Sequence, residues 1–149
     1  METSAKRSRN RFLGLVVMII ACWGMLFAQK VPVNVTLPAS SVLPGTSLRI
    51  PVNIGSTTGV NITAYEFIVT CDSTIMTLDD VDATGTLSAG TWSLLSNNFA
   101  GGFNSGRMKV VAASSSPLSG SGALLYIKGT TKNKIGSSPL RFESFIFNT

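Results

Sequence analysis

From residue 31 onward, apolar and polar residues alternate in short stretches. In "AYEFIVTC", Tyr65, Phe67, Val69 and Cys71 share one side, while Ala64, Glu66, Ile68 and Thr70 share the other. A period of two is the mark of a half-buried strand, so the first set predicts a core face. "SLRIPVNI" alternates in the same way, with Leu48, Ile50, Val52 and Ile54 inward and Ser47, Arg49, Pro51 and Asn53 outward. Pro51 cannot donate to a ladder, which predicts an edge or a bulge there. "RMKVVAAS" places Met108, Val110 and Ala112 together. In "PLRFESFIFN", Leu140 and Phe142 are out of phase with Phe145 and Phe147. A bulge near Glu143 and Ser144 returns all four to one face.

Strands are predicted near 31–37, 47–54, 62–71, 75–81, 93–99, 107–113, 123–131 and 140–147, with no helical period among them. Segments 82–92 and 99–106 are rich in Gly, Ser and Asn and read as loops. Eight short strands separated by turn residues predict an all-β fold, a two-sheet antiparallel sandwich. No internal repeat and no dividing linker interrupts it, so residues 31–149 are expected to form one domain.

The first 28 residues differ in kind. Lys6, Arg7, Arg9 and Arg11 precede an uncharged apolar stretch from Phe12 to Ala28. That order describes a secretory signal over 1–28 with cleavage near Ala28. "IIAC" also resembles a bacterial lipobox, which would make Cys22 the lipid-bearing residue. An uncleaved helical anchor is the third reading, and membrane contact is expected only through this segment. Each of the three delivers the rest of the chain to a secreted or cell-surface location.

The leader also accounts for most of the charge. Without residues 1–28, four basic side chains and Glu2 are gone, and the net charge falls from +5 to +2. The remaining Lys and Arg are scattered, which argues against a nucleic-acid partner. Cys71 is then the only cysteine and reads as a small buried hydrophobe.

Catalytic chemistry finds little to work with. The chain has no histidine, which removes the commonest general base and metal ligand. Asp79, Asp80 and Asp82 cluster, but their spacing is not that of a calcium loop, and they read as a solvated strand end. Glu66 and Glu143 lack any signature of a paired acid and base. The Gly-rich stretches do not match a phosphate-binding loop. Trp92, Phe103 and Tyr126 are candidates for a sugar-stacking platform, although large rings in β-proteins more often lie in the core. Neither an enzyme, a metal nor a cofactor is expected.

Taken in order, these stretches resemble a known family. "VLPGTSLRIPVNI" is similar to its opening, a Pro-Gly turn leading into an alternating strand. "GVNITAYEFIVTCDSTIMTLDDV", "ATGTLSAG", "GRMKVVAASSSPLSGSGALLYIKG" and "GSSPLRFESFIFN" resemble its later steps. The family is the cohesin domain, a jelly-roll sandwich related to carbohydrate-binding modules. The resemblance implies a noncatalytic module that holds a dockerin-like protein module outside the cell. It also implies a partner face on the outer surface of one sheet. That face would comprise Ala64, Glu66, Ile68 and Thr70, extended by Asn97, Lys109 and Val111. Cohesins of cellulosomes often carry Asn and Asp where this chain has Ala64 and Glu66. They also usually end with one more short strand beside the first, which is not found after Asn148. A carbohydrate-binding sandwich and a structural module of a larger surface protein are the alternatives.

Overall fold

A computed structural model describes residues 32–98 and 106–148 of the chain. The expected leader and its helix, Cys22 included, lie outside the described residues. Among the described residues no helix is long and apolar enough to cross a membrane.

Eight strands form: β1 (Val35–Thr36), β2 (Ser47–Ile54), β3 (Ala64–Thr70), β4 (Met76–Asp82), β5 (Ser93–Asn98), β6 (Arg107–Ala113), β7 (Gly122–Thr131) and β8 (Arg141–Asn148). They make two four-stranded sheets, ordered β1-β2-β7-β4 and β5-β6-β3-β8, and every pairing is antiparallel. Apart from β1–β2 and β5–β6, which pair directly, chain-adjacent strands alternate between the sheets, as the jelly-roll reading requires. The first strand is much shorter than the predicted 31–37, because only Val35 and Thr36 find partners, Ile54 and Asn53.

Alternation sets the core. Val52, Ile62, Phe67, Val69, Met108, Val110, Leu124, Leu125 and Ile127 are fully buried between the sheets, with Tyr65 close to it. Burial of each large aliphatic side chain contributes about 1.5–3 kcal/mol. Aromatic rings fill the side nearest β8: Phe67 stacks on Phe145 at 5.1 Å, and Phe142 meets Phe145 edge-on at 5.2 Å.

Both irregularities foreseen from phase are present. The β3–β8 register jumps from Ile68↔Ser144 to Val69↔Phe142, leaving Glu143 as the extra residue. Phe142, Phe145 and Phe147 therefore all face the core. Pro51 lies on a part of β2 that β1 does not reach, so one side of the strand is open there. A second bulge follows at once, between Val52 and Asn53, where Leu124 of β7 is the extra residue. That bulge is why Leu124 and Leu125 are both buried although they are neighbours.

Cys71 sits just past the end of β3 and is half-buried rather than fully enclosed. Its thiol donates to the Met76 carbonyl at 3.7 Å, and burial pushes its pKa up to about 11. A thiol held protonated in this way is a poor nucleophile.

Along one side, β4 packs against β5 and β6, and the Ser96 hydroxyl donates to Asp80 at 2.7 Å across that junction. No comparable approach joins β1 or β2 to β8 on the other side.

Candidate functional site

The outer surface of the β5-β6-β3-β8 sheet is built of transverse rows fixed by strand register. Ser93, Ala113, Ala64 and Asn148 form the first. Leu95, Val111, Glu66 and Ile146 form the second, and Asn97, Lys109, Ile68 and Ser144 the third. Arg107, Thr70 and Arg141 complete the far end. Each of the first three rows spans three strand spacings, about 14 Å.

All seven residues expected from the sequence, Ala64, Glu66, Ile68, Thr70, Asn97, Lys109 and Val111, fall in these rows. Two further residues matter, and sequence reasoning missed both. Leu95 is 74% exposed and Ile146 is 54% exposed, and both share the row of Val111, itself 38% exposed. Ile146 had a signal: once the bulge turns Phe145 and Phe147 inward, the residue between them must point out. Leu95 had none, because its neighbour Leu94 is equally apolar and either phase of β5 satisfies the pattern.

Ion pairs occupy one flank of the row. Lys109 of β6 bonds Glu66 of β3 at 3.1 Å. Arg107 grips Glu143 with two hydrogen bonds, Nε to Oε2 at 2.7 Å and Nη2 to Oε1. Those bonds raise the pKa of the guanidinium above its ordinary value. The bulge is thus what carries the Glu143 carboxylate out to its cation. Glu66 and Glu143 are each held by a cation of β6, and neither resembles an acid poised beside a base.

The opposite sheet presents a different surface. Arg49 bonds Asp82 at 2.8 Å and lies over the Tyr126 ring at 3.7 Å. Lys128 bonds Asp80 at 3.4 Å, and Thr130 donates to Asp79 at 2.7 Å. Each of the three clustered aspartates is therefore committed to a protein donor. No exposed large apolar residue lies on that sheet.

The sugar-platform residues do not assemble either. Trp92 is buried and packs on Tyr65 at 5.2 Å, so it belongs to the core. Tyr126 is covered by Arg49, and Phe103 lies outside the described residues.

The model of the cohesin domain family matches residues 33–147. The chain belongs to the cohesin family. Cohesin domains are noncatalytic binding modules. Among solved structures, the chain is similar to the sixth cohesin of Acetivibrio cellulolyticus scaffoldin B, determined in complex with a Cel5 dockerin mutant. The identity is 21% and the TM-score 0.64, over 78% of this chain and 86% of that one. It is also similar to a type I cohesin–dockerin complex, Coh-OlpA–Doc918, of Clostridium thermocellum, at 17% identity and a TM-score of 0.63, covering 77% and 84%. A non-cellulosomal cohesin of the archaeon Archaeoglobus fulgidus matches at 18% identity and a TM-score of 0.63, covering 78% of each chain. Among curated protein sequences none matches the chain significantly.

Proposed function

We propose that this cohesin domain is a noncatalytic docking module that holds a dockerin-like protein module on the outer surface of its β5-β6-β3-β8 sheet. One observation carries the choice of face. Among the described residues, all three large apolar side chains exposed on strands, Leu95, Val111 and Ile146, stand in a single row of that sheet. An apolar centre with a polar rim is the anatomy of a protein interface. Ala64, Thr70 and Asn97 supply short polar or small positions around it, and the two ion pairs close one flank. On the opposite sheet the charged side chains, Arg49, Asp79, Asp80, Asp82 and Lys128, are already bonded to protein partners. Leader residues 1–28 fit the same role, because they would carry the module outside the cell, where its partner would be met.

Calorimetric titration with dockerin modules tests the reading. Leu95→Asp and Ile146→Asp should each weaken binding by about tenfold or more, since a charge would be placed at a desolvated contact. Both side chains are exposed, so thermal unfolding should stay near the parent value. Lys128→Asp, on the other sheet, should bind as the parent does. Equal affinity for all three variants would reject the face.

A further inference from the structure

Among the described residues, the six exposed large apolar side chains fall into two groups. Three form the row described above. The other three, Val42, Leu43 and Ile135, lie in the β1–β2 and β7–β8 loops. Those loops are tied together, since the Gly45 N–H donates to the Lys132 carbonyl at 3.3 Å, and Thr131 at the end of β7 donates to the Leu43 carbonyl at 2.9 Å. Between them lies a groove of about 530 Å³. Its floor includes Leu48, Ile50, Ile75 and Met76, so it reaches the core at the end of the sandwich.

The walls of this groove are irregular but extended. One runs from Leu37 to Pro44 and the other from Lys134 to Leu140. Pro38, Pro44 and Pro139 fix φ and bias the residues before them toward extended backbone. Among the described residues, no main-chain group of 38–42 or 135–139 bonds another main-chain group. Unpaired main chain beside an apolar floor is what an added strand uses for recognition. The charge around it has one sign in excess. Lys134 lines the groove, with Lys132 and Arg141 close along the same wall, and none of the three has an ion-pair partner among the described residues. The Asp72 carboxylate lies close by, its residue's N–H donating to the Ser138 hydroxyl of that wall. Its hydrogen bonds from Thr74, with smaller contributions from Lys134 and Lys132, lower its pKa below the ordinary value.

We propose that this groove is a second docking site, which takes an extended acidic peptide segment with alternating apolar side chains. Main-chain hydrogen bonds to the two walls would hold it. Apolar side chains would cover the floor and Ile135, and carboxylates would meet Lys132, Lys134 and Arg141. A second copy of this chain fits poorly, because it would set these cations against themselves. A flat lipid surface would leave the recessed floor unfilled. Only Arg141 also belongs to the edge of the sheet face, and the site stands whether or not that face binds a dockerin.

Fluorescence anisotropy of the whole chain with a labelled peptide of about eight residues, the length of an ordinary strand, tests this. The probe alternates valine and threonine and carries two aspartates at each end. A twin carries lysines there instead. The aspartate form should bind at least about tenfold more tightly than its twin. Ile135→Asp and Lys134→Glu should each lower that affinity by about tenfold, with unfolding unchanged because both side chains are exposed. Leu95→Asp should leave it unaltered. No binding, equal binding of the twins, or full binding by the Ile135 and Lys134 variants would overturn the proposal. So would retention on phosphatidylglycerol vesicles, or dimerisation that Ile135→Asp abolishes, if either occurs without peptide binding.

Discussion

Leu95 and Ile146 sit on the two edge strands of one sheet, yet they occupy the same transverse row of its outer face. Val111 and Glu66 lie between them, and the Lys109 ammonium draws the Glu66 carboxylate aside at 3.1 Å. The row therefore offers three apolar contacts across about 14 Å with its one charge already paired.

Because the charges in the middle of this face, Glu66 with Lys109 and Arg107 with Glu143, are paired among themselves and, among the described residues, only Arg141 at its far end is not, partner binding should depend only weakly on salt. Raising ionic strength from low to well above physiological should change the dissociation constant by less than about threefold, since screening acts mainly on unpaired, exposed charges. Calorimetry across a salt series measures this. A steep decline would mean that Arg107, Lys109 or Arg141 meets an acidic partner surface.

Phe67 is fully buried at the centre of the aromatic cluster. Phe67→Ala should cost about 3–5 kcal/mol, the usual loss for a large ring removed from a core. Phe67→Asp should leave the chain unfolded, because an unpaired charge cannot be buried there. Urea unfolding followed by tryptophan fluorescence reports both, through buried Trp92.

The bulge at Glu143 yields a less obvious expectation. With Glu143 deleted, Val69 would still face Phe142 and Ile68 would still face Ser144, now as consecutive rungs. The deletion should therefore preserve the fold, with only a small loss from the exposed Arg107 pair and altered strand twist. An insertion between Ser144 and Phe145 should instead drive Phe145 and Phe147 outward and unfold the domain. Circular dichroism and denaturant melts of the two variants distinguish these outcomes.

Tyr65 donates or accepts a hydrogen bond with Ser88 at 2.8 Å inside the core. Burial pushes its pKa up to about 12, against the Ser88 bond, which acts in the opposite direction. A folded-state pKa above the unfolded value of about 10 means that this stabilisation is complete below pH 10 and is lost as pH rises toward 12. Tyr65→Phe should cost about 1 kcal/mol at neutral pH, by leaving the Ser88 hydroxyl unpaired. It should also reduce the loss of stability above pH 10. The residual alkaline loss should include Cys71, whose pKa is likewise raised. Urea midpoints measured from pH 7 to 11 test both effects.

Much of this was legible in the sequence because strand alternation is strict wherever one side is core. Phe67 and its neighbours declared their side, and the phase conflict between Phe142 and Phe145 revealed a bulge before any coordinates. Legibility failed where two adjacent apolar residues satisfied either phase, as at Leu94 and Leu95, so Leu95 was missed; Ile146 was missed although the bulge beside it carried the signal. For Trp92 the core reading of large rings held, since its ring is buried against Tyr65. Tyr126 was ambiguous because its cover, Arg49, comes from the neighbouring strand, and pairing partners are not written in local sequence.

The most direct test of the docking face is methyl NMR of the domain titrated with a dockerin module. The methyl resonances of Leu95, Val111, Ile68 and Ile146 should shift or broaden together, while those of Val42, Leu43 and Ile135 stay in place. Shifts that spare the Leu95–Ile146 row and appear elsewhere would contradict the account.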